Sequence, residues 1–322
     1  MNRLRHLPLA FLLSLVLWIL PVLGADLQVH FIDVGQGDST LVITPSGKKL
    51  LVDAGIHATE TDKRNPFNYM MRLKKKGEIV NRNIDFAIIT HPHDDHYGGF
   101  AYLSKKKANQ QDFVIPNIYY SVAPQPYGQY WKVIQVLVAR SENHGQVSAR
   151  GPPIELGDDI QVSVLYPPDK IETPSRNPNE DSVVIKLTFK NISFLLTGDA
   201  PSNVEEKVLG QDIRSTVLKV GHHGSKTSSC TDFLKAAAPS SSDFYAVISS
   251  NYNNGKGKTY GHPDKETLQS LKEVRGLKLY RTDLHGTIVF VTDGKTVNVR
   301  TEKQNISERD LWQPGKKVKK PQ

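Results

Sequence analysis

The sequence predicts a single-domain α/β protein built in four layers, two β-sheets packed face to face and covered on both outer sides by helices, an αββα sandwich. Three observations carry that expectation. Short strand patterns alternate with helical ones from about residue 27 to about residue 300. Several strands are apolar nearly throughout and end abruptly in polar or glycine-containing turns, as strands buried on both faces do. The 322 residues, 38% hydrophobic and 23% charged, suffice for one large core and contain no repeat or low-complexity tract.

In chain order, residues 27–33 alternate as a half-buried strand, 39–44 follow as a second, and the turn Pro45-Ser46-Gly47 leads into a third at 49–53, a β-meander. Residues 66–76 read as a helix ending in a lysine run at Gly77. The apolar stretch 84–90 is a buried strand that delivers the chain to His91, and 97–106 continues as a helix. A strand near 113–120 and a helix near 127–139 come next, then strands at 160–166, 182–190 and 192–197, the last running into Gly198-Asp199. Helices at 202–209, near 230–237 and at 263–274 alternate with strands at 215–220, 243–249 and 277–281, and strands at 287–292 and 296–300 close the domain. The polar segment 141–158 and the Pro/Asn-rich segment 167–181 are expected to be surface loops.

Residues 1–24 combine Arg3 and Arg5 with an apolar run from Leu7 to Leu23 and a small-residue end at Gly24-Ala25, which describes a secretory signal peptide. The same run is nearly long enough to remain as a membrane anchor, so membrane proximity is the alternative to release. Either way the rest is expected outside the cytosol, as a secreted, periplasmic or cell-surface domain spanning 25–300 with a basic tail at 301–322. A single cysteine, Cys230, allows no intrachain disulfide there, so stability must come from the core or from metal. The net charge of +8 is concentrated at the ends, with +2 in residues 1–24 and +3 in 301–322, leaving the body at +3. That body is no strong electrostatic trap for nucleic acid. The tail run Lys316-Lys317-Val318-Lys319-Lys320 is expected to be a solvated terminus with the option of touching phosphate or anionic lipid.

The densest chemical signal is His91-Pro92-His93-Asp94-Asp95-His96 just after the buried strand. Imidazoles and carboxylates crowded there would repel one another or waste polar groups unless a cation binds them. Neutral imidazole nitrogen and carboxylate oxygen suit zinc, manganese or iron. With neighbouring residues pointing in opposite directions, His91 and His93 share one ion while Asp95 and His96 reach a second beside it. Phe194–Asp199, a buried strand ending in Gly-Asp, supplies the negative charge that lets two dications sit about 3.5–4 Å apart. No Ser-His-Asp arrangement and no phosphate-binding glycine loop is present.

These residues resemble the metallo-β-lactamase superfamily, whose metal motif has the form His-x-His-x-Asp-His. The resemblance implies the metallo-β-lactamase fold, two divalent metal ions and hydrolysis by metal-activated water. It makes His91, His93, Asp95, His96 and Asp199 ligands and Asp53, in Leu50-Leu51-Val52-Asp53-Ala54-Gly55, an aspartate that orients the metal-bearing loop. In Gly221-His222-His223-Gly224-Ser225, His222 is taken as the last ligand by its Gly-His placement. His223 is then a neighbour that contacts substrate or donates a proton, with the reverse order as the alternative. The superfamily usually has one more histidine in the loop before the Gly-Asp strand, where this sequence has Asn177-Pro178-Asn179-Glu180-Asp181-Ser182. Either Asn179 or Asp181 takes its place through oxygen, or the site binds one ion loosely with an extra water, which brings manganese beside zinc as the candidate metal.

The segments Asp33-Val34-Gly35-Gln36-Gly37-Asp38-Ser39, Asn179–Ser182, Gly221–Lys226, Tyr260-Gly261-His262-Pro263 and Arg281-Thr282-Asp283 are similar to the hydrolase domain of the ComEC DNA-uptake family. That implies a stand-alone exported hydrolase, a phosphodiesterase or nuclease acting on DNA or another phosphodiester. On this reading Asp33 and Asp38 support the ligands and Asp95, His223 and His262 take part in the chemistry. Competing expectations are hydrolysis of a β-lactam, a lactone or a phosphocholine ester, and a non-catalytic, metal-containing module that binds polyanions. No obligate protein partner is expected.

Overall fold

The computed structural model describes residues 26–56, 63–105, 113–122, 128–240, 243–251 and 261–315. The signal segment 1–24, Tyr260 and the lysines of 316–320 lie outside the described residues. One sheet draws on strands β1 (Leu27–Phe31), β2 (Thr40–Ile43), β3 (Lys49–Val52), β4 (Phe86–Ile89), β5 (Asn117–Tyr120), β6 (Asn143–Gln146), and late in the chain β14 (Ile288–Thr292) and β15 (Val297–Thr301). The other takes β7 (Ile154–Gly157), β8 (Ile160–Tyr166), β9 (Val184–Phe189), β10 (Ile192–Leu196), β11 (Val217–Lys219), β12 (Phe244–Ile248) and β13 (Leu277–Arg281). Their orders are β15-β14-β1-β2-β3-β4-β5-β6 and β13-β12-β11-β10-β9-β8-β7.

Each sheet is antiparallel in one half and parallel in the other: β3 to β6 run parallel in the first, β10 to β13 in the second. This follows from connection length. A turn such as Pro45–Lys48 permits only a hairpin, whereas parallel neighbours need a crossover, here usually a helix. The crossover helices are α1 (Pro66–Lys75), α2 (Asp94–Tyr97), α3 (Phe100–Lys105) and α4 (Gly128–Val138) on the first sheet, and α5 (Ser202–Val208), α6 (Thr231–Ala237) and α7 (Lys265–Lys272) on the second. Helix α1 shows the local logic. Asn65 caps it by accepting from the Phe67 N–H, Pro66 takes the first position where no N–H is needed, and Arg72, Lys74 and Lys75 sit in the last turn against the negative dipole end.

Strand alternation then assigns three apolar layers. Val29, Phe31, Val42, Leu187, Phe194, Val217 and Phe290 meet between the sheets. Leu41, Leu51, Ala87 and Ile89 face α1, α3 and α4 through Phe67, Met70, Phe100 and Ile134. Leu195, Leu218, Ala246 and Ile248 face the second helical layer through Val204, Phe233 and Leu268. The four-layer order expected from the sequence is the observed one.

Two expectations are corrected. The segment 141–158 is not a loop, because β6 and β7 form the terminal strands of the two sheets within it. Both are short: β6 (Asn-His-Gly-Gln) has no apolar residue, and in β7 the alternation Ile154-Glu155-Leu156-Gly157 extends over only four residues, too few to stand out from a polar segment. The expected tail 301–322 also starts inside the fold: β15 ends at Thr301, and α9 (Glu308–Leu311) docks Leu311 and Trp312 against the second helical layer. A further short helix, α8 (Thr282–His285), follows β13 directly. Among the described residues no helix is long and apolar enough to cross a membrane.

Candidate metal centre

The carboxyl ends of β3 and β4 in one sheet and of β10, β11 and β12 in the other converge at one edge of the sandwich. There the chain carries Asp53, His91–His96, Asp199, His222-His223 and Ser249. Parallel strands place their loops together at this end, which is why ligand sites of open α/β sheets form there.

Asp53 sits one residue past β3 in a left-handed conformation (φ 59°). Its carboxylate accepts from the Thr90 N–H at 2.8 Å and the Thr90 hydroxyl at 2.7 Å, and bonds His96 Nδ1 at 2.7 Å. It therefore orients the loop and turns His96 Nε2 inward, to 3.2 Å from Asp199 Oδ1. His223 is oriented the same way. Its Nδ1 donates to the Ser249 carbonyl at 2.9 Å and lies 3.3 Å from Asp38 Oδ1, which leaves Nε2 at 3.2 Å from Asp95 Oδ2 and 3.3 Å from Asp199 Oδ2. On the other flank His91 Nε2 lies 3.1 Å from His93 Nδ1 and 3.9 Å from Asp199 Oδ2. The loop that brings Asp38 is pressed onto the histidine loop at Gly37 (φ 133°), where a Cβ would fall 2.3 Å from the Asp95 carbonyl oxygen. Only glycine permits that approach.

Two groups of donors result, sharing Asp199: His91, His93 and Asp199 in one, and Asp38, His96, Asp199 and His223 in the other, each with its ligand atoms within 4.8 Å of one another. His96 Nε2, His223 Nε2, Asp199 Oδ1 and Asp38 Oδ1 are buried and make no hydrogen bond. Buried polar atoms are nearly always paired, so several orphans aimed at one point call for a guest with positive charge. Nitrogen and carboxylate donors at these separations fit a divalent cation bonded at about 2.1 Å.

The electrostatics agree. Burial works against protonating His96 and His223, yet the Asp199 carboxylate, with Asp53 on one side and Asp38 on the other, raises both imidazoles well above the usual histidine value. Burial likewise opposes ionising Asp199 and Asp95, but the facing imidazoles hold both below the usual carboxylate range. The surrounding carboxylates thus favour positive charge at this cluster, which suits a divalent cation. His91, by contrast, is lowered well below the ordinary value by burial and by the neighbouring His96.

The geometry reverses the assignment within the histidine pair. His223 is buried at the cluster, whereas His222 is partly exposed, with Nε2 3.9 Å from Asp199 Oδ2 and Nδ1 2.8 Å from the Thr227 hydroxyl. The reason is backbone conformation: both residues are left-handed (φ 48° and 55°), which aims two adjacent side chains in ways an extended register would not. Asn179 reaches the cluster rim, its Nδ2 3.3 Å from His222 Nε2 and its buried Oδ1 without a hydrogen bond. Asp181 does not, since its carboxylate is occupied by the Ser175 N–H and hydroxyl. Asp33 is also removed from the cluster: it accepts from the Gly35 N–H at 3.1 Å and stands 4.0 Å from Arg64. His262 lies at the mouth, its ring centroid 5.7 Å from that of His222, and burial, aided by His223, lowers it to about 4.

Sequence reasoning missed Lys219. The last residue of β11, it is 2% exposed; its ammonium contacts Asp38, donates to the Gly198 carbonyl at 3.1 Å and stands 4.0 Å from Asp199 Oδ1. The available signal was a lysine ending an apolar strand, on the same face as buried Val217. A buried ammonium keeps Asp38 ionised beneath His223.

A helix-flanked pair of sheets with a His/Asp cluster that could hold metal at the strand ends is the arrangement of a known class: the chain belongs to the metallo-β-lactamase superfamily, whose family model matches residues 32–246. Among curated proteins it is 32% identical over 290 residues to ComE operon protein 3 of Bacillus subtilis (strain 168), an alignment covering 85% of this chain and 34% of that one. It is 30% identical over 267 residues to competence protein ComA of Neisseria gonorrhoeae, covering 80% and 31%. The resemblance to the ComEC family thus holds, and the chain spans about a third of the length of these relatives. Among solved structures, the metallo-beta-lactamase fold protein YhfI from Bacillus subtilis superposes with a TM-score of 0.48 at 13% identity, covering 81% of this chain and 98% of that one.

Proposed function

We propose that this protein is an exported phosphodiesterase, a nuclease acting on DNA or another phosphodiester, working with two divalent ions, zinc or manganese. The observation that carries this reading is the buried set His96 Nε2, His223 Nε2 and Asp199 Oδ1, left without hydrogen bonds at the point where His91, His93 and Asp95 also converge. The resemblance to the ComEC DNA-uptake family supports a nucleic-acid substrate, and the leader-like residues 1–24 support export.

Divalent cations held by His91, His93, Asp95, His96, Asp199 and His223 would supply Lewis acidity to a phosphoryl oxygen and a water whose pKa falls toward about 7. The chain's own groups do the rest. Asp53 and the Ser249 carbonyl fix the imidazole tautomers, so that His96 and His223 present Nε2 to the centre. Asp38 and Lys219 hold their charges beneath it. His262, kept neutral by burial, stands at the mouth as a base for the proton released on attack.

The test is plasmid degradation with Mn²⁺ or Zn²⁺, run beside His93→Ala and Asp199→Ala. Wild-type cleavage lost in both variants is the expected result. A wild type as inert as the variants would refute the reading, and turnover of nitrocefin in place of DNA would move the substrate to the lactams.

A further inference from the structure

The outer face of the first sheet is covered unevenly. Val29, Phe31 and Phe290 point into the core between the sheets, so the side chains beside them, His30 of β1 and Val289 of β14, point outward. Strand pairing sets His30, Val289 and Arg300 of β15 in one row, with His30 and Arg300 about 10 Å apart along it. Cover from α1 reaches His30 through Tyr69 and thins beyond it: His30 is 1% exposed, Val289 half-buried and Arg300 exposed. The step between the helix and β15 is a cavity of about 270 Å³, bordered by Arg72, Lys76 and Glu78 on one side and by Arg300 and Glu302 on the other.

His30 lines this cavity and carries an unmet bond. The Tyr69 hydroxyl lies 2.7 Å from its Nδ1 and meets no other acceptor among the described residues, so the phenol donates and the ring proton sits on Nε2. Burial and Arg300 lower the imidazole to about 3, which keeps it neutral, while burial raises the phenol, which keeps its proton. Nε2 itself is buried without a partner, and a buried N–H in that state calls for an incoming oxygen. The charges around it say what kind. Glu78 is paired with Lys76 at 3.8 Å and Glu302 is folded against Gly286, which leaves Arg72 and Arg300 against one carboxylate. Arg300 makes no hydrogen bond or ion pair among the described residues, and Arg72 rests over the Tyr69 ring, 5.4 Å from its centroid, donating to the Lys63 carbonyl at 3.3 Å.

We propose that this cavity binds a soluble phosphomonoester of sugar-phosphate or nucleotide size, its phosphate held between Arg72 and Arg300 with one oxygen accepting from His30 Nε2. Donors arriving from three directions suit the three terminal oxygens of such a phosphate better than they suit a planar carboxylate. Because Nε2 is closed off from water, the ligand reaches it by turning the long exposed Arg72 side chain aside. Gln28, half-buried in the wall with no side-chain hydrogen bond among the described residues, is left for the sugar hydroxyls. The volume, just under the ~300–1,000 Å³ of drug-sized sites, fits a small molecule. None of these residues belongs to the metal centre, so the site goes beyond the phosphodiesterase reading.

The test titrates the full chain by calorimetry with ribose 5-phosphate, dAMP and deoxyadenosine, in EDTA so that no phosphate binds through metal ions. The expected result is one site that takes either phosphomonoester and not the nucleoside. Arg72→Gln and Arg300→Gln, both at exposed side chains, should each weaken it roughly tenfold or more, since each removes a charged hydrogen bond. In protein labelled with ¹⁵N-histidine, the His30 ring signal, assigned with His30→Gln, should move as the ester saturates. His93→Ala should bind as wild type does, and a protein that degrades no plasmid but passes these tests would lose the nuclease reading and keep this site. Absence of saturable binding overturns the proposal, as does an affinity unchanged in both arginine variants or an unmoved His30 signal. Equal binding of deoxyadenosine would overturn it by removing the phosphate from recognition. Retention on phosphatidic acid vesicles with no binding of the soluble esters would overturn it too, by assigning the cavity to lipid.

Discussion

At the scale of single residues, the centre is held by groups that need not touch a metal. Asp53 makes three hydrogen bonds and aims His96, so Asp53→Asn should weaken divalent-ion affinity by about 10- to 100-fold, read by competition with a chelating dye. Lys219 is a different case, because its removal strands a buried carboxylate. Lys219→Met should cost roughly 3–5 kcal/mol in urea unfolding of the metal-free protein. A loss under 1 kcal/mol would show that Asp38 finds another partner. Asp53 was legible in the sequence, as an aspartate at a strand end. Lys219 was not, because a one-dimensional pattern cannot say whether a strand's last side chain snorkels to water or turns inward to a carboxylate brought from residue 38.

At the scale of elements, the loop 225–230 that follows the histidine pair is tied down by Glu205 of α5. Its buried carboxylate accepts from the N–H groups of Ser229 at 2.6 Å and Cys230 at 2.9 Å. Burial raises this group from 4.5 to about 7, against the opposing pull of those two donors. The folded state therefore keeps a proton that the unfolded chain has already lost. Its contribution to stability is complete below about pH 4.5 and disappears as pH rises through about 7, roughly 3 kcal/mol in all. Urea midpoints measured from pH 4.5 to 8 should fall more steeply for wild type than for Glu205→Gln, and parallel curves would rule the linkage out. The same scale shows where patterns mislead. Helix α1, with its cap, proline and basic end, could be read from sequence nearly to the residue, whereas β6 was hidden because Asn143–Gln146 has no apolar face and β7 because its alternation extends over only four residues.

At the scale of the whole molecule, four carboxylates, Asp38, Asp53, Asp95 and Asp199, meet between two sheets with Lys219 as their buried ammonium. Divalent ions that bind only this folded arrangement must stabilise it. At about a hundredfold excess over the dissociation constant the gain is roughly 2.7 kcal/mol, which for a chain of this size raises Tm by on the order of 5 °C. Calorimetry with and without Mn²⁺ checks this. Asp199→Ala, which removes the carboxylate common to both donor groups, should abolish the shift.

The amino-acid sequence alone determined the layer order and most of the residues that gather in the His/Asp cluster. Apolar periodicity and the spacing of His91, His93, Asp95 and His96 are local properties, written over a few consecutive residues. Only the tertiary structure decided that His223 rather than His222 enters the cluster, that Asp33 and Asp181 are spent on their own loops, and that residues 301–315 return to the mouth beside His262. Each of these depends on which atoms from distant segments arrive within hydrogen-bonding distance. A left-handed turn at two consecutive histidines, or a buried arginine holding the carbonyls of residues 311 and 313, fixes such meetings through backbone direction, for which a list of residue types carries no signal.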